Sequence, residues 1–239
     1  MMKNFFLSLK TTVWLLFGLV CLFFVGSCLM PMHREVFGPM NEDILLRWTL
    51  ETALQNVSAS WWFFTAVLGL ALLTINTLVC SWQSIAGKWT RSDALLRLAP
   101  QIIHLGFLFI LAGHLASAGW GYKLSGMLPE GASVALPDNL GMRLERIHVD
   151  ADPSGYMTNW SADVKLFEGT RSAASGSLGP NRPLFHAGVG VYVKTLNFDQ
   201  RPAAFMMVVK DPGTIWAFIG GMMFLVGTIL LLVLKWKKA

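Results

Sequence analysis

Two histidines lie inside a long apolar stretch of this sequence. Residues 101–122 read QIIHLGFLFILAGHLASAGWGY and contain His104 and His114. An ionisable side chain in such a stretch is costly, so each needs a hydrogen-bond partner or a function. A neutral imidazole can bond to a neighbouring helix or act as an axial ligand of haem iron. On one helix the two residues are about 15 Å and roughly 80° apart, so they cannot ligate the same iron.

The composition predicts a membrane protein that carries such a helix. The chain has 239 residues, of which 54% are hydrophobic and 14% are charged, whereas soluble domains average about 45–50% and about 25%. Four stretches reach the length of about 20 residues that a bilayer-spanning helix requires. They are Thr11–Met30, Ser60–Trp82, Leu98–Trp120 and Thr214–Leu234.

The distribution of basic residues predicts the orientation. The segments before the first span, between the second and third, and after the fourth together contain eight Lys or Arg residues and one acid. Basic segments stay on the cytoplasmic side, so we expect both termini there. The pI of about 9.3 therefore reflects topology, and we expect no nucleic-acid partner. We also expect the first span to be retained, with no cleavage before Cys28.

The same patterns divide the chain into five segments and predict an α+β membrane protein. Between the third and fourth spans, alternating residues and turn clusters predict five or six strands of a small external β-sheet or sandwich. Turn clusters include PDNLG, SGSLGPNRP and DQRP. The segments are the N-terminal tail and first span (1–30), an external loop (31–59), the second and third spans with a cytoplasmic loop (60–120), the β-rich domain (121–213), and the last span with its basic tail (214–239).

The external loop contains EDILLRWTLETALQ, whose apolar residues recur at roughly helical spacing. This pattern predicts a short amphipathic helix. It either lies on the outer membrane surface or packs on the protein's own external domain.

Three further histidines lie outside the spans. We expect His33 and His148 to be surface residues, and His186 is a weaker binding candidate because it lies within the motif NRPLFHAGVGVYV. Gly106 and Gly113 remove side-chain bulk along the third span, where a haem would need a gap between helices. No other span carries a histidine. A second axial ligand would therefore come from another protein.

Several motifs resemble the ResB family of System II cytochrome c biogenesis proteins. The residues Asn181, Pro183, Leu184, Gly188 and Tyr192 follow the family signature N-x-P-L-x-Y-x-G-x-x-x-Y-Q, although His186 and Val193 stand where members often have Tyr and Gln. NWSADVKLFEG, VVKDPGTIWAFIGG, WWFFTAVLGLALLTINTLVC and HLGFLFILAGHLASAGWGY are similar to further family segments in the same order. Typical members have a much larger external domain, so the chain resembles a reduced form.

The resemblance implies a function. ResB-like proteins act with a ResC/CcsA-type membrane protein in the bacterial inner membrane, where haem is exported and presented for attachment to apocytochrome c. By its position and its His-Leu-Gly context, His104 corresponds to the haem-associated histidine of the family. The resemblance thus implies that His104 is one axial ligand of haem b, which is the transported cargo. The partner would share in ligating this haem. The chain would be a non-catalytic partner subunit of the haem lyase complex, without catalytic residues of its own.

Two other functions are compatible with the sequence. The chain could be a structural assembly subunit that binds no haem, or an electron-transfer membrane anchor for haem or quinone. An anchor usually supplies histidines from facing spans, and the single histidine-bearing span counts against it.

Overall fold

The computed structural model describes residues 9–86, 94–198 and 201–236. The chain forms two compact units, a helical unit of Met1–Gly119 with Gly213–Ala239 and a β unit of Trp120–Pro212. Within these ranges the helical unit has four long helices, which are α1 (Leu9–Leu29), α2 (Val57–Ala86), α3 (Ala94–Trp120) and α4 (Thr214–Trp236). Each is long and apolar enough to cross a membrane, so the four helices predicted from hydropathy are confirmed as helices of that kind.

Helices α1 and α2 pack antiparallel with contacts at seven-residue steps. At one end the Asn76 side-chain amide donates a hydrogen bond of 2.8 Å to the Thr12 hydroxyl. At the other end Gly26 leaves room for the indole ring of Trp62. The paired positions are Thr12 with Asn76, Leu19 with Gly69, and Gly26 with Trp62. A seven-residue spacing keeps one face of each helix turned toward its neighbour.

Helices α3 and α4 approach more closely, because glycines line their contact. A Cβ atom on Gly106 would lie 2.7 Å from the Gly220 carbonyl oxygen, and one on Gly113 would lie 2.7 Å from the Ala217 nitrogen. Gly213, which directly precedes α4, and Gly220 and Gly227 on α4 are spaced at seven-residue intervals, and each faces backbone or side-chain atoms of α3. Small residues at such contacts allow helix backbones in membranes to pack directly.

The segment between α1 and α2 consists of short helical pieces. These are Met30–Met32, Arg34–Phe37, Gly38–Asn41, Leu45–Trp48 and the π-helical Thr49–Ala53. The predicted amphipathic helix is therefore a four-residue α-helix that continues into a π-helical turn. Its Trp48 is buried against Phe37 and Phe63 of the helical unit. The indole N–H donates to the Val36 carbonyl oxygen at 2.7 Å.

The described residues of the β unit form eight antiparallel strands in two four-stranded sheets. The strands are β1 (Tyr122–Pro129), β2 (Ser133–Ala135), β3 (Leu140–Ala151), β4 (Met157–Glu168), β5 (Arg171–Leu178), β6 (Leu184–His186), β7 (Val189–Asn197) and β8 (Ala203–Lys210). One sheet has the order β1-β8-β7-β6 and the other β2-β3-β4-β5. Inward residues of both sheets share one apolar core, which includes the fully buried Leu144, Leu166 and Val191.

The predicted number of five or six strands was too low. Strand β1 directly follows the third apolar helix, so the end of the helix pattern obscured it. Strand β5 includes Ser175–Leu178, which the sequence assigned to a turn because RSAASGSL is rich in small and polar residues. Its pairing with β4 overrides that weak local preference. Part of the predicted turn DQRP, Asp199 and Gln200, lies outside the described residues.

Candidate functional site

The imidazole of His104 forms a hydrogen bond between two long helices. His104 is half-buried on α3, and its Nδ1 atom lies 2.9 Å from the Ser81 hydroxyl oxygen near the end of α2. Phe107, one helical turn further along α3, packs against the cluster of Leu19, Ala66 and Leu73 on α1 and α2. The two side chains share one face of α3 because residues at i and i+3 are neighbours on a helix. This face positions His104 toward α2.

The Ser81 bond determines what the imidazole can still do. A neutral imidazole has one N–H donor and one bare nitrogen acceptor. Since Nδ1 is engaged by Ser81, Nε2 is the nitrogen left for another ligand. When Nδ1 carries the proton, the Nε2 lone pair can bind a metal, as in most histidine-ligated centres. His104 can therefore supply one axial ligand.

The glycines of α3 do not provide the gap that the sequence suggested. Gly106 and Gly113 lie on a different face from His104, and backbone atoms of α4 fill the space beside them. Their role in this structure is close helix packing. The expectation that they open a pocket for haem is wrong. A glycine leaves space beside its helix only where no neighbouring helix fills that space, and here the backbone of α4 fills it.

His114 and His104 do not come together. His114 is exposed, and among the residues that the structure describes its ring has no hydrogen-bond partner. Weak haem binding by His114 stays a prediction. No group of three or more His, Cys, Asp or Glu residues in the described ranges is arranged to hold a metal ion.

His186 lies in the β unit, at the end of the short strand β6. Its Nε2 atom is 3.2 Å from a carboxylate oxygen of Glu168. The surrounding signature residues have structural roles that follow from their geometry. Asn181 and Gly188 adopt positive φ angles of 55° and 77°, which Asn and Gly tolerate best. The Tyr192 ring packs edge-on against Phe185 at 6.1 Å.

The other two histidines are surface residues, as expected. The side chain of His33 is 41% exposed and lies 3.6 Å from Glu35. His148 on β3 is 48% exposed, and its Nε2–H donates to the Asp163 carboxylate at 2.7 Å. This hydrogen bond lowers the pKa of Asp163 below its ordinary value.

Ser81 is the site residue that the sequence analysis missed. Nothing in its local sequence sets it apart, because Ser is common in membrane helices and often bonds to its own backbone. The only available signal was depth. Ser81 lies three residues before the end of the membrane-spanning stretch Val57–Ser84, and His104 lies six residues after the start of the stretch Leu98–Trp120.

Comparison with known proteins identifies relatives of the segment that contains His104. Residues 91–197 match the model of the ResB-like family. The Cytochrome c biogenesis protein CcsB of Synechococcus sp. (strain CC9605) is 30% identical over 107 residues, which cover 43% of this chain and 24% of that protein. The protein of the same name from Thermosynechococcus vestitus (strain NIES-2133 / IAM M-273 / BP-1) is 24% identical over 124 residues, 46% of this chain and 28% of that one. The chain thus spans about a quarter of the length of the curated relatives it matches.

A solved structure is also similar. The Cytochrome c Heme Lyase CcmF aligns with a TM-score of 0.45 and 12% sequence identity, over 69% of this chain and 29% of that chain. The family model covers the histidine-bearing helix and strands β1 to β7. Over residues 91–197, this chain is similar to the ResB-like family.

Proposed function

We propose that this chain is a membrane subunit in cytochrome c maturation and that it holds haem, as cargo, through Nε2 of His104. The observation that carries the proposal is the Ser81 contact at 2.9 Å, which engages Nδ1 and leaves Nε2 as the ligating nitrogen. The names of the curated relatives, Cytochrome c biogenesis protein CcsB, support the same process.

The proposed site is half of a six-coordinate one. A haem iron with two protein axial ligands needs a second donor opposite His104. The described spans have no second histidine near His104, since His114 lies about 15 Å along the same helix. We assign the second ligand to a membrane partner of the ResC/CcsA type. The partner would also carry out attachment to apocytochrome c.

The remaining elements fit this assignment by chemistry and topology. Four apolar helices suit the bacterial inner membrane, with the termini on the cytoplasmic side as the basic residues predict. His104 would then bind haem in the inner half of the bilayer. The β unit would lie on the external side, where its two sheets would face the partner or the apocytochrome.

A non-haem assembly subunit is the second candidate function. One observation favours it, because the bond from His104 to Ser81 also satisfies an imidazole whose only task is to join two helices. The two functions differ in whether Nε2 has a ligand. They therefore make opposite predictions about haem content.

The test is co-expression with the partner, purification of the complex and measurement of haem by its Soret absorbance and by extraction. We expect His104→Ala to lose at least most of the bound haem and to reduce cytochrome c maturation. His114→Ala is the matched control, since it removes an imidazole from the same helix, and we expect haem content near wild type. Equal haem in wild type and His104→Ala would contradict the proposal. Haem absent from the wild-type complex, with maturation intact, would support the assembly subunit.

A further inference from the structure

The Ser81 hydroxyl forms one of the side-chain hydrogen bonds that join two long helices; the bond between Asn76 and Thr12 is another. Several other hydroxyls of these helices donate to a carbonyl oxygen four residues earlier in the chain, at 2.7–3.0 Å; these are Ser60, Thr65, Thr74, Thr77, Ser117 and Thr228. The Ser81 hydroxyl is instead 2.9 Å from His104 on the next helix. Its bond is therefore a contact between helices, directed at one side-chain nitrogen.

We propose that Ser81 is a positioning residue that prepares His104 for haem ligation through Nε2, an inference that rests on the proposed function. A hydroxyl can both donate and accept, since it has one O–H and two lone pairs. It can therefore keep the bond to Nδ1 in either neutral form of the ring. A carboxylate in this place could only accept, and an ammonium could only donate.

The two forms correspond to the empty and the loaded site. In the empty site Ser81 donates its O–H to bare Nδ1, and Nε2 carries the ring proton. In the loaded site the ring proton resides on Nδ1 and is donated to the Ser81 oxygen, while the Nε2 lone pair binds iron. The exchange moves the ring proton and rotates the hydroxyl, and it leaves the position of the ring unchanged. Haem can thus enter and leave without breaking the contact between α2 and α3.

The position of Ser81 also sets the direction of the ring. The bond ties Nδ1 to α2, while Phe107 on the same face of α3 packs against α1 and α2. Nε2 is on the opposite edge of the imidazole from the Cβ attachment and cannot turn toward Ser81 while the bond persists. A bond to Nδ1–H also makes an imidazole a stronger electron donor to its metal. Ser81 should therefore affect both the affinity for haem and its reduction potential.

The experiment compares Ser81→Ala with Ser81→Thr in the complex with its partner. Thr keeps a hydroxyl, so it should restore what Ala removes. Thr74→Ala is the matched control, because Thr74 lies on the same helix and bonds to its own backbone. Each complex is isolated from haem-depleted cells and titrated with haem. The electron paramagnetic resonance spectrum of the ferric form and the reduction potential are then recorded.

We expect Ser81→Ala to weaken haem binding by about 10- to 100-fold, the usual effect of removing a partner that orients a metal-bound histidine. The reduction potential should rise, because a less basic imidazole stabilises ferric iron less well. Thr74→Ala should match wild type in both measurements, and Ser81→Thr should lie close to it.

The outcomes separate this inference from the proposed function. If wild type binds haem in a His104-dependent manner but Ser81→Ala has wild-type affinity and potential, the positioning role is wrong and the haem function stands. If Ser81→Ala and Thr74→Ala weaken binding equally without a change in potential, Ser81 acts only through helix stability, and the inference is overturned. If neither wild type nor His104→Ala binds haem, the proposed function fails and this inference fails with it.

Discussion

The contact between α3 and α4 gives a sharp prediction about stability, because one helix offers both a test position and its control. Gly220 and Gly221 are adjacent on α4. A Cβ atom on Gly220 would lie 2.6 Å from the Gly106 carbonyl oxygen and 2.6 Å from the Ile110 nitrogen. A Cβ atom on Gly221 would have nothing within 4 Å. We therefore compare Gly220→Ala with Gly221→Ala.

The expected magnitude follows from these distances. Ordinary contacts of a Cβ atom begin at 3.4 Å, and the two atoms nearest to Gly220 are backbone atoms that cannot rotate away. The two helices must move apart locally or distort, and overpacking of this kind lowers the free energy of unfolding by about 1–3 kcal/mol. Replacing Gly by Ala also favours the helix by up to about 1 kcal/mol, and this gain is common to both variants. We expect Gly220→Ala to be less stable than Gly221→Ala by about 1–3 kcal/mol.

The assay is the free energy of unfolding of the full chain in mixed micelles, followed by circular dichroism as denaturing detergent is added. The comparison between the two variants removes the contribution of helix propensity. A difference within about 0.5 kcal/mol, the usual range for substitutions without a structural contact, would show that α3 and α4 do not pack through Gly220.

Three further predictions concern other parts of the molecule. Trp48→Phe should lower the free energy of unfolding by about 1–3 kcal/mol, because it removes the indole N–H that donates to the buried Val36 carbonyl oxygen. Trp61→Phe changes an exposed side chain and should have little effect. Leu144→Ala should lower the free energy of unfolding by about 2–5 kcal/mol, because Leu144 is fully buried in the β unit. Thermal unfolding measures this loss. Asp163 has a pKa lowered in the folded state, chiefly by the His148 hydrogen bond. The ionised Asp163 carboxylate therefore stabilises the folded protein above the unfolded pKa of 3.8, and this stabilisation is lost as the pH falls through the folded pKa. The melting temperatures of wild type and Asp163→Asn should differ at pH 7 and converge at strongly acidic pH.

The sequence was sufficient to predict the elements whose signal is local. The four long helices follow from runs of apolar residues, because length and hydropathy alone decide whether a helix can cross a bilayer. Strands β2, β3, β4, β7 and β8 follow from alternation and from turn residues. Even the positive φ angles of Asp138 and Asn139 agree with the predicted turn at PDNLG, since both residues tolerate that conformation.

The contacts between elements could not be predicted in the same way. The sequence does not show that Ser81 faces His104, because that pairing depends on the register between α2 and α3. Likewise Trp48 was one of several apolar residues in its helix, yet it is 1% exposed while Leu50 is 58% exposed. Which side chain is buried is decided by the aromatic partners Phe37 and Phe63. Gly106 shows the same limit, as only the structure reveals that α4 occupies the space beside it.

The most direct test of the central claim is ligand replacement at His104. Reduction potential and the electron paramagnetic resonance spectrum of the haem are measured in the purified complex of wild type and of His104→Met. Exchange of an axial imidazole for a thioether raises the potential of a haem. We expect a higher potential and loss of the wild-type spectrum in His104→Met, with both properties unchanged in His114→Met. A His104→Met complex that binds haem with the wild-type spectrum and potential would contradict it.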